Sequence, residues 1–396
     1  MTTVWTEISE LATLSGAIKK DGRNLLPEDL GLIQDAAIVF DQGQILWQGN
    51  SSALPPQYQQ FAVSLKGHVV TPEIVDSHTH LVFAGNRADE YKMRLDGADY
   101  QAIAASGGGI LSTMSATKDA DEEGLFQQAR QRIERIHSYG VGTIEIKSGY
   151  ALTLDGERKL SRVIDRLKNQ FSPRVRILNT FMAAHAVPRE YQSSKAYLDE
   201  IVVPLLRELA KSKSIDAVDI FHETGYFSTD DVTCIFELAK QLAIPVKIHA
   251  DEFGDNGGAE LAAKYHALSA DHLLCTGDSG IAALANSQTV ATLLPGTGYF
   301  LGKAQAKARK LLDAGAKVAI ASDFNPGSCH VDNVLLLASL AAPNYKMNSA
   351  ELWAAITINA RDALGLGVSP RFSVFKANSI SEITYSWGRN FSVSLT

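Results

Sequence analysis

Between about residues 72 and 365, eight short β-rich runs alternate with stretches long enough to form amphipathic helices. One such stretch, "STDDVTCIFELAKQLA", begins with Ser-Thr-Asp, residues that cap helix N-termini, before its apolar period starts. Strict alternation is typical of a parallel sheet, and eight units of this total length are typical of a (β/α)8 TIM-like barrel. The predicted strands are 74–76, 142–147, 176–180, 217–221, 246–248, 267–270, 290–294 and 317–321.

An open, doubly wound sheet is the competing architecture. It would normally carry a glycine-rich phosphate loop after its first strand, where this chain has Asp-Ser-His-Thr-His at 76–80. The "GGGI" run at 107–110 lacks the Lys-Ser/Thr ending of a P-loop, so a phosphate role is not expected there. The barrel is therefore the preferred prediction.

The two ends of the chain have a different character. "AAIVFDQGQILWQG" (37–50) contains two apolar runs around Asp-Gln-Gly, which indicates a β-hairpin. The tail "RFSVFKANSISEITYSWGRNFSVSL" is again strand-like and could pair with the N-terminal strands. We therefore predict a small discontinuous β-sandwich domain from residues 1–70 plus 366–396, and a catalytic barrel from residues 71–365.

Composition narrows the class of partner. Hydrophobic residues make up 45%, charged residues 20%, and the net charge is −7 with no basic stripe, so neither nucleic acid nor an anionic membrane is an expected partner. Three scattered cysteines do not form a disulfide framework and suit a reducing cytoplasm. The N-terminus lacks a basic segment followed by an apolar core, so no signal peptide is expected. We expect a cytoplasmic protein.

Polar residues recur where the predicted strands end. His78 and His80 are two residues apart and point to the same side of their strand, and His249 and Asp323 end two later strands. Taken singly, such histidines are more often buried hydrogen-bonded side chains, and a lone aspartate is more often a helix cap. Because the carboxyl ends of barrel strands meet at one mouth, three imidazoles and one carboxylate there could bind a divalent metal and leave a position for water.

Several motifs occur in an order that resembles a known family: "VDSHTHLVFAGNR", "EIKSGY", "AAHAVPREY", "KIHADE", "SADHL", "LLPG" and "SDFNPGS". Over nearly the whole chain the sequence is similar to the amidohydrolase superfamily, and within it to the imidazolonepropionases. The resemblance implies a site with one metal ion, zinc or iron, held by His78, His80, His249 and Asp323.

The absence of a lysine at the end of the fourth predicted strand also favours a single metal ion. Members with two metals commonly have a carboxylated lysine there, whereas "AVDIFHETG" offers only His222 and Glu223. Lys147, at the end of the second strand, is interpreted as a surface or hydrogen-bonding lysine.

The implied reaction is metal-dependent hydrolysis of the ring amide of 4-imidazolone-5-propanoate to N-formimidoyl-L-glutamate, a step of histidine degradation. Glu252, three residues beyond His249, would relay protons, and His272 would orient it or act as its acid/base partner. Asp323 is a second candidate base, and the sequence leaves the choice between the two carboxylates open.

The substrate's propionate calls for a cation, and Arg87 follows His80 by one loop. The resemblance adds other contacts to this small-molecule substrate and allows a homodimer. The implied substrate-binding residues are Arg87, Tyr150, His185, Glu252, Asn325, Gly327 and Ser328.

Three features depart from the family pattern: Glu73 at the strand entrance, His222 where a cysteine is expected, and a tail without "GxLxxGxxAD". Two other functions compete with the hydrolase. A cyclic-amidine deaminase would use a similar metal site but has no evident need for Arg87. A catalytically inactive barrel would usually have lost metal ligands, and the full set is present here.

Overall fold

The computed structural model describes residues 2–97, 109–367 and 371–393, and the chain forms two β-sheets with helices packed around one of them. The strands, numbered in chain order, are β1 (Thr3–Ala12), β2 (Leu32–Asp41), β3 (Gln44–Asn50), β4 (Ala62–Ser64), β5 (Val69–Pro72), β6 (Ile74–Asp76), β7 (Val141–Lys147), β8 (Arg176–Ala184), β9 (Ala217–His222), β10 (Lys247–Ala250), β11 (Ser269–His272), β12 (Val290–Leu293), β13 (Val318–Ile320), β14 (Phe372–Phe375) and β15 (Phe391–Val393).

Strands β6 to β13 form an eight-stranded parallel sheet in which chain neighbours are also sheet neighbours. The first and last strands meet through a parallel bridge between Thr79 and Phe324. At this seam the His80 amide donates to the Phe324 carbonyl at 2.9 Å, and the Asp323 amide donates to the His78 carbonyl at 3.0 Å. The predicted TIM-like barrel is confirmed, and its seam joins the loops that carry the candidate ligands.

All eight predicted barrel strands are present, and β8 differs most from its prediction. It continues to Ala184, four residues beyond the predicted end, because its last part is apolar and fully buried. The extension carries the chain to the edge of the barrel mouth, where His185 follows.

The second sheet combines both ends of the chain in the order β15-β14-β5-β1-β2-β3, with β4 paired to β1. Phe40 on β2 and Phe372 on β14 are three strand positions apart, yet their ring centroids are 5.3 Å apart, and Trp5 packs edge-on against both. Strands in a flat sheet are about 4.8 Å apart, so this sheet must fold over its own apolar face. The sandwich-like core thus comes from a single sheet. The boundaries between the small domain and the barrel, at residues 70 and 366, stay a prediction.

Helices connect the barrel strands and follow the last one. The α-helices are Ser15–Lys19, Pro56–Gln59, Ala88–Leu95, Ile110–Asp119, Glu122–His137, Leu154–Phe171, Ser194–Tyr197, Val203–Ser212, Thr229–Gln241, Gly258–Lys264, Asp278–Ala285, Pro295–Leu301, Ala308–Asp313, Val334–Tyr345, Ser349–Ala355, Ile358–Asp362 and Ile380–Ser386. Short 3-10 helices span Pro27–Leu30 and Ser51–Ala53, and a π-helical turn spans Leu198–Val202. None of the helices in the described ranges combines the length and the apolar composition that crossing a bilayer requires.

Sequence signals explain individual ends of these elements. Ser228 and Asp231 form a reciprocal capping box at the start of helix Thr229–Gln241, as its Ser-Thr-Asp opening predicts. The hairpin between β2 and β3 turns at Gln42 and Gly43, which both have positive φ, the backbone form that two-residue hairpins favour. Glu73 is buried and pairs with Arg371 at 2.6 Å, so this departure from the family pattern connects the barrel entrance to the C-terminal segment.

Candidate metal centre

The barrel mouth brings four side chains to one point. His78 and His80 lie in the loop after β6, His249 lies on β10, and Asp323 follows β13. All four are buried, with no more than 3% of the residue surface exposed. The sequence predicts that these residues lie at strand ends but gives no distance between them. The structure shows that they lie close together.

The donor atoms have the mutual spacing of ligands around one small cation. The Nε2 atom of His80 lies 3.2 Å from that of His78 and 3.3 Å from that of His249. One Asp323 oxygen, Oδ1, lies 3.5 Å from the Nε2 of His78 and 3.7 Å from that of His80. Tetrahedral ligands at about 2.0–2.1 Å from a metal are themselves about 3.3 Å apart. The three imidazoles therefore have the spacing of ligands around one metal ion, and Asp323 adds an oxygen beside two of them, His78 and His80.

Two of the three imidazoles are oriented by carboxylates on the side away from this point. The Nδ1–H of His78 donates to Asp271 at 2.6 Å, and that of His249 donates to Asp219 at 3.1 Å. Each contact places the ring proton on Nδ1 and leaves the Nε2 lone pair facing the centre. Burial is the main cause that lowers the pKa of His78 and His80 well below its usual range, so both rings are neutral, the form that binds metals.

Asp323 is held through its second oxygen. Oδ2 accepts hydrogen bonds from the hydroxyls of Thr297 and Ser328, which leaves Oδ1 toward the imidazoles. Burial raises the pKa of this carboxyl to about 7. Its backbone has a φ of 52°, a left-handed form uncommon outside glycine, and strain of this kind clusters at functional sites.

Glu252 and His272 lie beside the cluster in the same cavity. The Glu252 Oε2 is 3.7 Å from the His272 Nε2, and both residues are buried. Burial, followed by the nearby charge of Asp323, raises the pKa of Glu252 to about 8. Burial also lowers the pKa of His272 well below its usual range. The Glu252 carboxyl can therefore gain or lose a proton near neutral pH, and the neighbouring His272 ring is neutral.

Glu223, at the end of the fourth barrel strand, holds the loop that follows Glu252. Its carboxylate accepts hydrogen bonds from the amides of Phe253 and Gly254, at 2.8 and 3.3 Å, and from the Asn256 side chain. Its neighbour His222 contacts Thr229 at 3.0 Å and does not line the cavity. His222 is thus a polar contact outside the cavity.

Arg87 lines the same cavity as Glu252 and His272. Its Nε donates to the Thr113 hydroxyl at 2.8 Å, and its guanidinium lies over Gly327 so closely that a Cβ there would be 2.1 Å from Nη1. Within the described parts of the chain, no carboxylate forms an ion pair with Arg87. An arginine without an acidic partner, fixed at the wall of a cavity, is suited to an anionic ligand.

Tyr150 and His185 form an aromatic wall beside His80, with their rings tilted by 58° to each other. The His185 ring stacks on that of His80, with centroids 5.0 Å apart and planes 19° apart, and Tyr150 lies 5.4 Å from His185. His185 donates its Nδ1–H to the Gly149 carbonyl at 3.1 Å, and burial lowers its pKa to about 3, so Nε2 is a hydrogen-bond acceptor. Sequence reasoning missed Glu157, which accepts from the amides of Gly149, Ala151 and Leu152 and fixes the loop carrying Tyr150.

The loop after Asp323 lines the cavity with Asn325, Gly327 and Ser328. The amide side chain of Asn325 is used within the loop, because its oxygen accepts from the Gly327 and Ser328 amides and its nitrogen donates to the Asp323 carbonyl. The backbone amides of Gly327 and Ser328 are therefore already engaged. Asn325 shapes this wall, and Gly327 makes room for Arg87.

The surface alternative for Lys147 is wrong, since the residue is fully buried and ion-paired below the cluster. A lysine in an apolar strand gives no sign in the sequence of which partners surround it. Gly107 and Gly108 of the "GGGI" run lie outside the described residues.

The amidohydrolase family profile matches residues 69–369, which span the barrel. Solved structures with a similar fold include a triazine hydrolase variant (13% identity, TM-score 0.71, 99% of this chain and 91% of the other). Another is the atrazine chlorohydrolase TrzN of Arthrobacter aurescens TC1 in complex with zinc (14%, 0.67, 96% and 88%). The chain belongs to the amidohydrolase family and is a hydrolase.

Its sequence relatives narrow the group. The chain is 41% identical to the imidazolonepropionase of Bacillus velezensis over 366 residues and 40% identical to that of Bacillus mycoides over 369 residues. Each match covers 92% of this chain and 86% of the relative. The resemblance read from the sequence motifs is confirmed, and within its family the chain groups with the imidazolonepropionases.

Proposed function

We propose that the protein hydrolyses the ring amide of 4-imidazolone-5-propanoate to N-formimidoyl-L-glutamate in histidine degradation. The observation that carries this proposal is one cavity that combines the donor cluster of His78, His80, His249 and Asp323 with the cation of Arg87, which has no carboxylate partner among the described residues. A ring amide with a carboxylate tail can place its carbonyl at the first and its tail at the second. The imidazolonepropionase relatives support the same substrate.

We further propose that those four residues hold one metal ion, zinc or iron, per chain. A bound metal ion would supply Lewis acidity at this point, which activates water toward an amide carbonyl. Among the described residues, the end of the fourth barrel strand offers His222 and Glu223, and both contact neighbouring loops or helices instead of the cluster. This arrangement supports a single metal ion.

Glu252 is the better-placed proton carrier of the two candidate carboxylates. Asp323 has its Oδ2 occupied by two hydroxyl donors and its Oδ1 among the imidazoles. Glu252 faces the cavity beside His272, and a pKa near 8 lets it exchange a proton at neutral pH. It would take a proton from the attacking water and return it to the ring nitrogen that leaves, while His272 holds its orientation.

The remaining wall residues would bind the substrate. Arg87 would hold the propionate through its two terminal nitrogens, since Nε is already used by Thr113. The His185–Tyr150 wall would lie against the flat ring, with His185 Nε2 accepting from a ring N–H. Asn325 and Ser328 would act by shaping the loop beside Asp323.

We also propose a cytoplasmic protein that acts on a small molecule without nucleic-acid or membrane partners, with a homodimer as one allowed assembly. The net charge of −7 and the free thiols of Cys234, Cys275 and Cys329 support this.

The test follows loss of imidazolone absorbance with the purified protein, together with ammonia and metal analysis. We expect turnover without ammonia and about one metal ion per chain. His249→Ala should lose the metal and turnover, whereas the matched variant His222→Ala, a histidine outside the cavity, should retain both. Ammonia release from a cyclic amidine without imidazolone turnover would replace the proposal with a deaminase. Two essential metal ions per chain would contradict the single-metal site.

A further inference from the structure

Five charged side chains are fully buried inside the barrel, below the donor cluster. Lys147 and Lys247 supply two positive charges, and Glu145, Asp219 and Asp271 supply three negative ones. Burying charges is costly unless they are paired and hydrogen-bonded. A barrel core is ordinarily filled by branched apolar side chains, so this group of charges calls for a specific role.

Lys147 occupies the middle of this group. Its Nζ lies 2.6 Å from Asp219 Oδ2, 2.8 Å from Glu145 Oε2 and 3.6 Å from Asp271 Oδ2. Asp219 uses its other oxygen, Oδ1, to accept from His249, and Asp271 uses Oδ2 to accept from His78. One ammonium group therefore lies behind two carboxylate–imidazole pairs that come from different strands.

Lys247 provides a contrast from within the same group. Its Nζ donates to the Ser77 carbonyl at 2.8 Å and pairs with Glu145 at 2.9 Å, and it is 3.7 Å from Asp271. It makes no contact with Asp219 in the described structure. Both lysines balance buried charge, but only Lys147 touches the carboxylates of both imidazole pairs at hydrogen-bonding or ion-pair distance.

We propose that Lys147 is a positioning residue for the metal centre: its ammonium fixes Asp219 and Asp271, which in turn hold His249 and His78 with their Nε2 atoms toward the shared point. This inference rests on the proposed ligand set. Without Lys147, Asp219 loses a hydrogen-bond donor and Asp271 loses an ion-pair partner, so both carboxylates can rotate and the imidazoles that they hold lose their fixed orientation.

The test measures zinc affinity of the purified protein by competition with a chromophoric chelator, without substrate. Lys147→Met alone adds one uncompensated negative charge to the core and could fail to fold. The informative variant is Lys147→Met combined with Glu145→Gln, because Glu145 touches no imidazole and the pair of changes restores the net charge of the buried group. Glu145→Gln alone and Lys247→Met combined with Glu145→Gln are the matched controls.

We expect the Lys147→Met/Glu145→Gln variant to bind zinc about 10- to 100-fold more weakly than wild type, the usual cost of losing support behind metal ligands. Its cobalt-substituted form should have an altered visible spectrum, which a loss of stability alone would not produce. The Lys247 control should stay within a few-fold of Glu145→Gln alone. Equal affinities for the Lys147 and Lys247 double variants, or an unchanged cobalt spectrum, would overturn the inference.

Failure of the proposed reaction gives a different result. If wild type binds zinc tightly and lacks imidazolone turnover, the substrate is wrong while the role of Lys147 can still be measured. If His249→Ala keeps full zinc affinity, the ligand set itself is wrong, and the inference about Lys147 is overturned with it.

Discussion

The buried charged group below the donor cluster and the cavity at the barrel mouth differ in whether their charged side chains have partners within the protein. We call these two regions the floor and the mouth of the site. On the floor, Lys147 and its carboxylate partners are fully buried, and each charge lies within hydrogen-bonding distance of another charged or polar group. At the mouth, Arg87 has no acidic partner among the described residues, and Glu252 is 3.7 Å from His272, beyond hydrogen-bonding distance. Charges satisfied by the protein itself set geometry, whereas charges left unsatisfied are available to a ligand.

The first prediction concerns Asp323, a member of the donor cluster that lies between the floor and the mouth. Asp323→Asn should lower kcat/KM by about a thousandfold or more, because metal activation of water contributes several kcal/mol and the variant weakens that site. The measurement is steady-state turnover with metal analysis. Circular dichroism should report an intact fold, and near-native turnover would remove Asp323 from the site.

The second prediction concerns Glu252, a mouth residue. Glu252→Gln should lower kcat by about 10²–10⁴, the usual contribution of a positioned acid/base group. The variant should also stabilise the metal-free protein at alkaline pH. The folded pKa of about 8 lies above the usual value of 4.5, so the wild type loses stability as pH rises from about 4.5 to 8. Glutamine has no such loss.

Thermal unfolding of chelator-treated protein tests this second part. The melting temperature of Glu252→Gln should exceed that of wild type by a few degrees at pH 8.5, and the difference should shrink toward pH 5. Equal melting temperatures across that range would mean that the carboxyl is not forced into its neutral form by burial.

The third prediction removes the Arg87 cation, which has no acidic partner within the described ranges. Arg87→Ala should lower kcat/KM by roughly 10- to 100-fold, since a charge-assisted pair is worth about 1.5–3 kcal/mol. Arg87→Lys should recover only part, because a point charge cannot copy the planar fork. Metal content and melting temperature should stay near wild type. Equal damage to turnover of a ring analogue without the carboxylate would show that Arg87 shapes the loop instead.

The smallest expected effect comes from Thr113, which holds Arg87 in place. Thr113→Val removes the acceptor of the Arg87 Nε–H and should raise KM several-fold with little change in kcat. Thr117→Val is the matched control, because Thr117 lies one turn further along the same helix and accepts from the Ala84 amide. Equal KM values for the two valine variants would contradict the positioning of Arg87 by Thr113.

The sequence predicts the parts of this site that depend on strand ends. His78, His80, His249 and Asp323 could be identified because alternating β and α segments place strand ends at one mouth. The partners of those residues depend on side chains from distant strands, which no local pattern reveals. Lys147 with Asp219, Thr113 with Arg87, and Glu223 below the Glu252 loop are all contacts of this kind.

Glycine and asparagine positions illustrate the same limit. Gly327 stands in a recognisable motif, but its reason for being glycine is the guanidinium of Arg87, more than two hundred residues earlier in the chain. Asn325 is a plausible ligand-binding residue in the sequence, and only the loop geometry directs its amide inward. Motifs identify where chemistry occurs, and packing decides which atoms remain available for it.

The barrel seam determines when, during folding, the residues of the site can come together. Asp76 accepts a hydrogen bond from the Ser322 amide, 246 residues later, and the cluster lies beside this junction. During synthesis, His78 and His80 emerge long before Asp323, the fourth member of the proposed ligand set. The site thus cannot exist in any nascent chain that lacks the eighth strand, and its assembly coincides with the slow, long-range closure of the barrel.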